Sequence, residues 1–272
     1  MQPSDTPRPV FTRHAGNPIV RPGLFEWRRA VVFNPGVIVD GDRFLMFERA
    51  AGSLRPFQCV LGMLRSTDGV HFAHVRDKPV FTPEMAGSKH GSVQDPRVVK
   101  IDGTFYMSFA FRPYAWNSSP TGVGVPDSWQ AEYPGFDGDE RGNQTRSGVA
   151  VSRDGLRWEV AGWVNEENTD DRDVIVFPRK IGGRFAALRR PSGLVGTDTT
   201  RSGMPPRICI SYSTDLSPWT NPQVIMRPTF DWEARAGVDV GNGGRQTLDA
   251  GVSGPILDDV LAFRASVAGH QL

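Results

Sequence analysis

The feature that most constrains this chain is a recurring unit of strand, tight glycine turn and second strand ending in arginine. It reads NPGVIVDGDRFLMFER from Asn34 to Arg49 and DPRVVKIDGTFYMSFAFR from Asp95 to Arg112. A third copy, FPRKIGGRFAALRRP, runs from Phe177 to Pro191. A second element also occurs once per unit: RSTDGVHF at Arg65 to Phe72, SRDGLRW at Ser152 to Trp158, and STDLSPW at Ser213 to Trp219. Ser-x-Asp followed closely by an aromatic suits a hairpin turn in which short polar side chains bind their own backbone. Four-stranded units recurring in this way are the signature of propeller blades. The spacing is wide, so the blades are expected to carry long loops. The longest, Tyr114 to Gln144, is rich in Gly, Pro, Ser, Trp and Asp. A loop of about thirty residues inside a compact domain usually serves a site. No stretch reads as a helix of more than about two turns. The expectation is an all-β propeller, one domain over residues 14–272, preceded by a loose Pro-rich arm over residues 1–13.

Composition sets the bounds. The 272 residues suffice for a sizeable core, and the 30 Gly and 22 Pro favour short strands and turns. A net charge of +1 with 22% charged residues implies no general attraction to nucleic acid or to anionic membranes. No apolar run approaches the roughly 18 residues of a membrane helix. The opening MQPSDTPRPV lacks the apolar segment of a secretory signal. The two cysteines, Cys59 and Cys209, are not metal-spaced and read as reduced core thiols, so a cytoplasmic location is expected. The sequons at Asn117 and Asn143 are then incidental. The five histidines show no ligand spacing, and no metal site is expected. No nucleophile elbow, Walker loop or dinucleotide fingerprint precedes a helix.

The candidate chemistry centres on Asp95, set between Gln94 and Pro96 just before an apolar strand. The proline is expected to fix the local backbone and hold Asp95 extended. In a propeller the entrances to the innermost strands converge on the central axis. Asn34, Asp95 and the Arg172-Asp173 pair should therefore meet there, followed by Arg49, Arg112 and Arg189-Arg190 at the ends of the second strands. A carboxylate among guanidiniums suits a sugar, with Trp27, Trp116, Trp129 or Tyr133 stacking on ring faces. Taken alone, an Asp before Pro is more often a turn former, and arginines at strand ends are often simply solvated. The Ser-x-Asp turns are structural.

Taken together, FNPGVIVDGDRFLMFERA, SVQDPRVVKIDGTFYMSFA, RSGVAVSRDGLRW and RDVIVFPRKIGGRFAALRRP resemble glycoside hydrolase family 130, over about Asn17 to Glu233. The resemblance implies a five-bladed β-propeller acting on β-mannosides, as a phosphorylase or, in some branches, a hydrolase. It implies Asp95 as the general acid, protonating the glycosidic oxygen through a sugar hydroxyl, with Gln94 where Glu is usual. It implies Asn34 and Arg49 as sugar contacts; Arg97, Asp173 and Trp116 are the further candidate sugar ligands, read from the residues themselves. Inversion then needs a nucleophile on the opposite face: inorganic phosphate as co-substrate, or an activated water. Arg172 and Arg189 stand where the family places a phosphate-binding Lys and His, and Arg146 and Arg112 add to that cluster. Arginine keeps the charge and binds phosphate bidentately, which tilts the expectation toward mannose 1-phosphate. No other cofactor is implied, and homo-oligomerisation stays open.

After Trp232-Glu233 the sequence departs from the family pattern, which leaves the completeness of the last blade open. Two further readings stand beside the phosphorylase. One is a β-mannoside hydrolase of the same family; the other is a non-catalytic carbohydrate-binding propeller, motivated by Gln94 and the altered C-terminus. An arabinanase or fructosidase type ranks lower, because it needs a carboxylate where the first unit offers Asn34.

Overall fold

The computed structural model describes residues 14–54, 56–115, 144–166, 170–191 and 207–227. The first unit is a four-stranded antiparallel sheet of β1 (Val31–Asp40), β2 (Arg43–Ala51), β3 (Cys59–Ser66) and β4 (Ala73–His74). The second comprises β5 (Ser92–Ile101), β6 (Thr104–Arg112), β7 (Arg146–Ser152) and β8 (Glu159–Trp163). The third comprises β9 (Asp171–Val176), β10 (Phe185–Pro191), β11 (Ile208–Ser213) and β12 (Gln223–Met226). Strands follow chain order in every sheet, so each unit is a meander of the kind that forms a propeller blade. Among the described residues there are three such blades, and the fold is all-β as expected. The residues that would carry further blades, and the arm at 1–13, lie outside the described residues.

Local chemistry explains the turns. Asp102 and Gly103 take φ of 49° and 78°, and Gly182 and Gly183 take 56° and 78°. These are the paired positive φ values that two-residue hairpins require. The Ser-x-Asp elements close on themselves. The Asp68 carboxylate accepts the amides of Val70 and His71, and Asp154 accepts those of Leu156 and Arg157. The His71 ring on Asp68 together with its amide bonds, and the amide bonds on Asp154, hold both carboxyls well below the usual carboxylate range. The third copy repeats the shape without the glycine: Leu216 takes φ 73°, as do Gly69 and Gly155. In it Trp219 Nε1 donates to Leu216 O at 2.7 Å, matching Trp158 Nε1 on Gly155 O at 2.8 Å.

Blades pack face to face through alternating apolar side chains. Phe47, Leu61, Met63 and Phe81 of the first meet Val93, Phe105, Met107 and Phe109 of the second. Ile101 and Val149 of the second meet Val174, Val176, Phe185 and Ala187 of the third. The sequence alignment of the third unit is corrected here. Its innermost strand is β9, so Phe177-Pro178 follows that strand, whereas Asn34-Pro35 and Asp95-Pro96 lie within theirs.

Candidate active site

Each innermost strand carries the same irregularity at the same place. In β1, Phe33 pairs with Arg49 and Gly36 with Phe47, so Asn34 and Pro35 together face Glu48. In β5, Gln94 pairs with Ala110 and Arg97 with Ser108, so Asp95 and Pro96 face Phe109. In β9, Arg172 pairs with Arg190 and Ile175 with Leu188, so Asp173 and Val174 face Arg189. These are β-bulges, which bend a strand and re-aim a side chain. The first bulge residue has positive φ in all three: Asn34 at 44°, Asp95 at 51° and Asp173 at 58°. Asn and Asp are the non-glycine residues that best tolerate this region. Asp95 is therefore not extended, as its proline had suggested; the two-against-one count at Phe109 forces the chain out of line.

The bulges of neighbouring blades touch. A Cβ on Gly36 would stand 2.5 Å from Pro96 O, so only glycine lets the first bulge approach the second. Between the second and third blades, Ser108 Oγ donates to Val174 O at 2.6 Å.

This contact places Asp95 in reach of the first blade. Asn34 Nδ2 donates to Asp95 Oδ1 at 2.8 Å, and Arg49 Nη1 donates to the same oxygen at 2.9 Å. Among the described residues no donor reaches Oδ2. The Asp95 side chain stays 19% exposed, and that of Arg49 8%. The Arg49 guanidinium lies 4.3 Å over the Phe33 ring and 5.4 Å from that of Phe57, and its Nε donates to Cys59 Sγ at 3.2 Å. The result is one fixed carboxyl oxygen and one open one. That suits a group which must present a proton in a set direction.

The other expected site residues fall into three groups. Arg97 Nη1 turns back to Pro96 O at the bulge itself. Arg112, buried at the end of β6, and Arg146, at the start of β7, bracket the same end of the second blade. Arg146 lies 4.2 Å over the Trp163 ring and donates through Nε to Asn165 O.

In the third blade each expected cation is held by a carboxylate of that blade. Asp170 accepts both Nε and Nη2 of Arg172. Arg190 holds Asp173 through Nε at 2.9 Å. The Arg189 Nε donates to Asp171 at 2.6 Å, with both side chains buried. Burial lifts the Asp171 carboxyl to about 6, with Arg189 opposing the shift. Arg189 is thus a ligand of the core, not an open anion ligand.

Trp27 is also corrected. It stacks on Phe25 at 5.9 Å, meets His74 edge-on and donates to Asp77 O, so it packs the outer first blade rather than a sugar. Trp116, Trp129 and Tyr133 lie outside the described residues. Sequence reasoning missed Phe33, Phe57 and Cys59. Their only signal is that each flanks a unit already singled out, which ranks none of them.

The sequence model of a family described as beta-1,4-mannooligosaccharide phosphorylase, glycoside hydrolase family 130, matches residues 13–122, which hold both Asn34 and Asp95. The 1,2-beta-oligomannan phosphorylase of Thermoanaerobacter sp. (strain X514) is 32% identical over 220 residues, 78% of this chain and 60% of the relative.

Both the family model and this relative liken the chain to glycoside hydrolase family 130.

The chain spans about three fifths of the length of that relative. Its fold is similar to the beta-1,2-mannobiose phosphorylase of Listeria innocua, with TM-score 0.53, 19% identity, and 82% of this chain and 69% of the other covered. It is similar also to a glycosyl hydrolase from Bacteroides ovatus, with TM-score 0.54 and 20% identity over 79% of this chain and 58% of the other. At such identities the likeness is one of fold.

Proposed function

We propose that this chain cleaves β-mannosides with inversion, by phosphorolysis that yields mannose 1-phosphate. One observation carries the reading. Asp95 Oδ1 is held by Asn34 and Arg49 from the neighbouring blade, and Oδ2 is left without a donor among the described residues. In the proposed reaction a phosphate oxygen bonds to the anomeric carbon from the face opposite the leaving group. The bond from that carbon to the glycosidic oxygen breaks, and this oxygen receives the Asp95 proton, relayed by a sugar hydroxyl. The match to the family model and the likeness to the phosphorylase relative support the substrate class. Arg112 and Arg146 are the cations we assign to phosphate, with Arg172 joining them only if it leaves Asp170. The free, buried thiols Cys59 and Cys209 suit a reducing compartment, and a cytoplasmic location belongs to the same proposal.

A second reading, hydrolysis, is favoured by one finding: two of the four expected phosphate ligands, Arg172 and Arg189, are neutralised by Asp170 and Asp171. One experiment separates the readings. The protein is incubated with β-1,2- and β-1,4-linked manno-oligosaccharides, with and without phosphate, and the products are resolved. Mannose 1-phosphate formed only with phosphate, and lost in Asp95→Asn, is the expected result. Free mannose independent of phosphate would establish hydrolysis. Glycan binding with neither product would leave a binding module and end the enzymatic proposal.

A further inference from the structure

Asp95 is clamped by Arg49, and something must in turn aim Arg49. Its guanidinium is a long lever, and such a side chain gives up much rotamer freedom when it is fixed. Four groups hold it. The Phe33 and Phe57 rings pack against it, Asp95 takes Nη1, and Cys59 Sγ accepts from Nε at 3.2 Å. Among the described residues the last is the one hydrogen bond that the Arg49 guanidinium makes to a side chain other than the acid.

Cys59 itself is referenced to the strand that carries the acid. It opens β3 opposite Ala51 and is wholly buried. Its backbone N–H donates to Ser92 Oγ at 3.0 Å, and Gln94 Nε2 donates to the same hydroxyl at 2.9 Å. Ser92 and Gln94 precede Asp95 on β5. The contacts close a ring through Asp95, Arg49, Cys59 and Ser92 and back along β5, crossing from one blade to the next twice.

From this ring we infer that Cys59 is a positioning residue for the acid: its sulfur orients Arg49, and Arg49 fixes which oxygen of Asp95 faces the substrate. A sulfur atom suits the place better than a hydroxyl. It is a weak acceptor that loses little by leaving water, and it reaches further from the backbone. Burial also pushes the thiol upward, keeping it neutral, so the Arg49 charge is left for Asp95. The inference rests on the proposed role of Asp95 only for its catalytic consequence; the orientation of Arg49 is testable without any turnover.

The probe is the Arg49 Nε–H resonance in 15N-labelled protein, assigned by its disappearance in Arg49→Lys. Its exchange with water is compared in the wild type, Cys59→Ala and Cys59→Ser. Slow exchange is expected in the wild type, at least about tenfold faster exchange in Cys59→Ala, and recovery of most protection in Cys59→Ser, which keeps an acceptor. Turnover should follow the same order, with kcat lower in Cys59→Ala and KM for the mannoside little changed. Equal exchange in the Ala and Ser variants overturns the inference. So does a wild-type resonance that exchanges like an exposed arginine, which decides the matter even if Cys59→Ala fails to fold. Protection that behaves as expected in a protein without turnover would sink the proposed reaction and leave the positioning intact. Turnover that depends on Asp95 but ignores Cys59 would do the reverse.

Discussion

The first-to-second blade junction and the third blade use one device and draw its partner from different places. Both place an acidic residue at positive φ on a bulge of the innermost strand. In the third blade the residue across from Arg172, just before the bulge, is Arg190, which satisfies Asp173 within its own sheet. In the second blade the equivalent residue, across from Gln94, is Ala110. With no cation of its own, Asp95 takes Arg49, which holds the same position in the first blade. Both carboxylates are held through a single oxygen: Asp173 from within its own sheet, with its side chain 42% exposed, and Asp95 by two donors of the neighbouring blade, with its side chain 19% exposed.

The comparison breaks most decisively at Asp95. If the borrowed clamp presents an acid, Asp95→Asn should lower turnover by roughly 10²- to 10⁴-fold with folding intact, measured as mannose 1-phosphate release. Asp173→Asn, whose carboxylate is already paired, should cost far less in kcat. The next largest effect is on stability. Arg189→Ala leaves Asp171 buried without its partner, and about 3–5 kcal/mol should be lost in denaturant unfolding. Phosphate dependence, where measurable, should survive. A variant that kept its stability but lost phosphate dependence would return Arg189 to the site.

A half-buried histidine and a buried carboxyl, shifted in opposite directions, sharpen the contrast through pH. Burial depresses His74 to about 4, with the Arg28 charge adding to it. Its contribution to stability is present above the ordinary 6.5 and is lost as pH falls toward about 4. Asp171 is raised, so its contribution is complete below the ordinary 3.8 and is lost as pH rises through about 6. The two slopes oppose each other over the same window. Melting curves of Asp171→Asn should therefore rise more steeply with pH than the wild type between about 4 and 6, and those of His74→Gln less steeply. Parallel curves for all three would refute both assignments. The smallest effect belongs to Arg190→Ala. Its pair with Asp173 is partly exposed, and its loss should change stability by no more than about 1 kcal/mol.

The amino-acid sequence alone determined the parts whose bonds close within a few residues. The Ser-x-Asp turns at Ser66 and Ser152, the Asp102-Gly103 and Gly182-Gly183 hairpins and the alternation of β5 and β6 are fixed by side chains and φ preferences beside them in the chain. They were legible for that reason. Asp95 was legible as a candidate, but its bulge was not, because a two-against-one register is set by the partner strand. Only the tertiary structure decided which charges are spoken for. Asn34 and Arg49 reach Asp95 from 61 and 46 residues away, and Asp171 captures Arg189 across 18. A string of arginines looks equally cationic throughout; the packing of one blade on the next decides where that charge is cancelled and where it holds an acid in place.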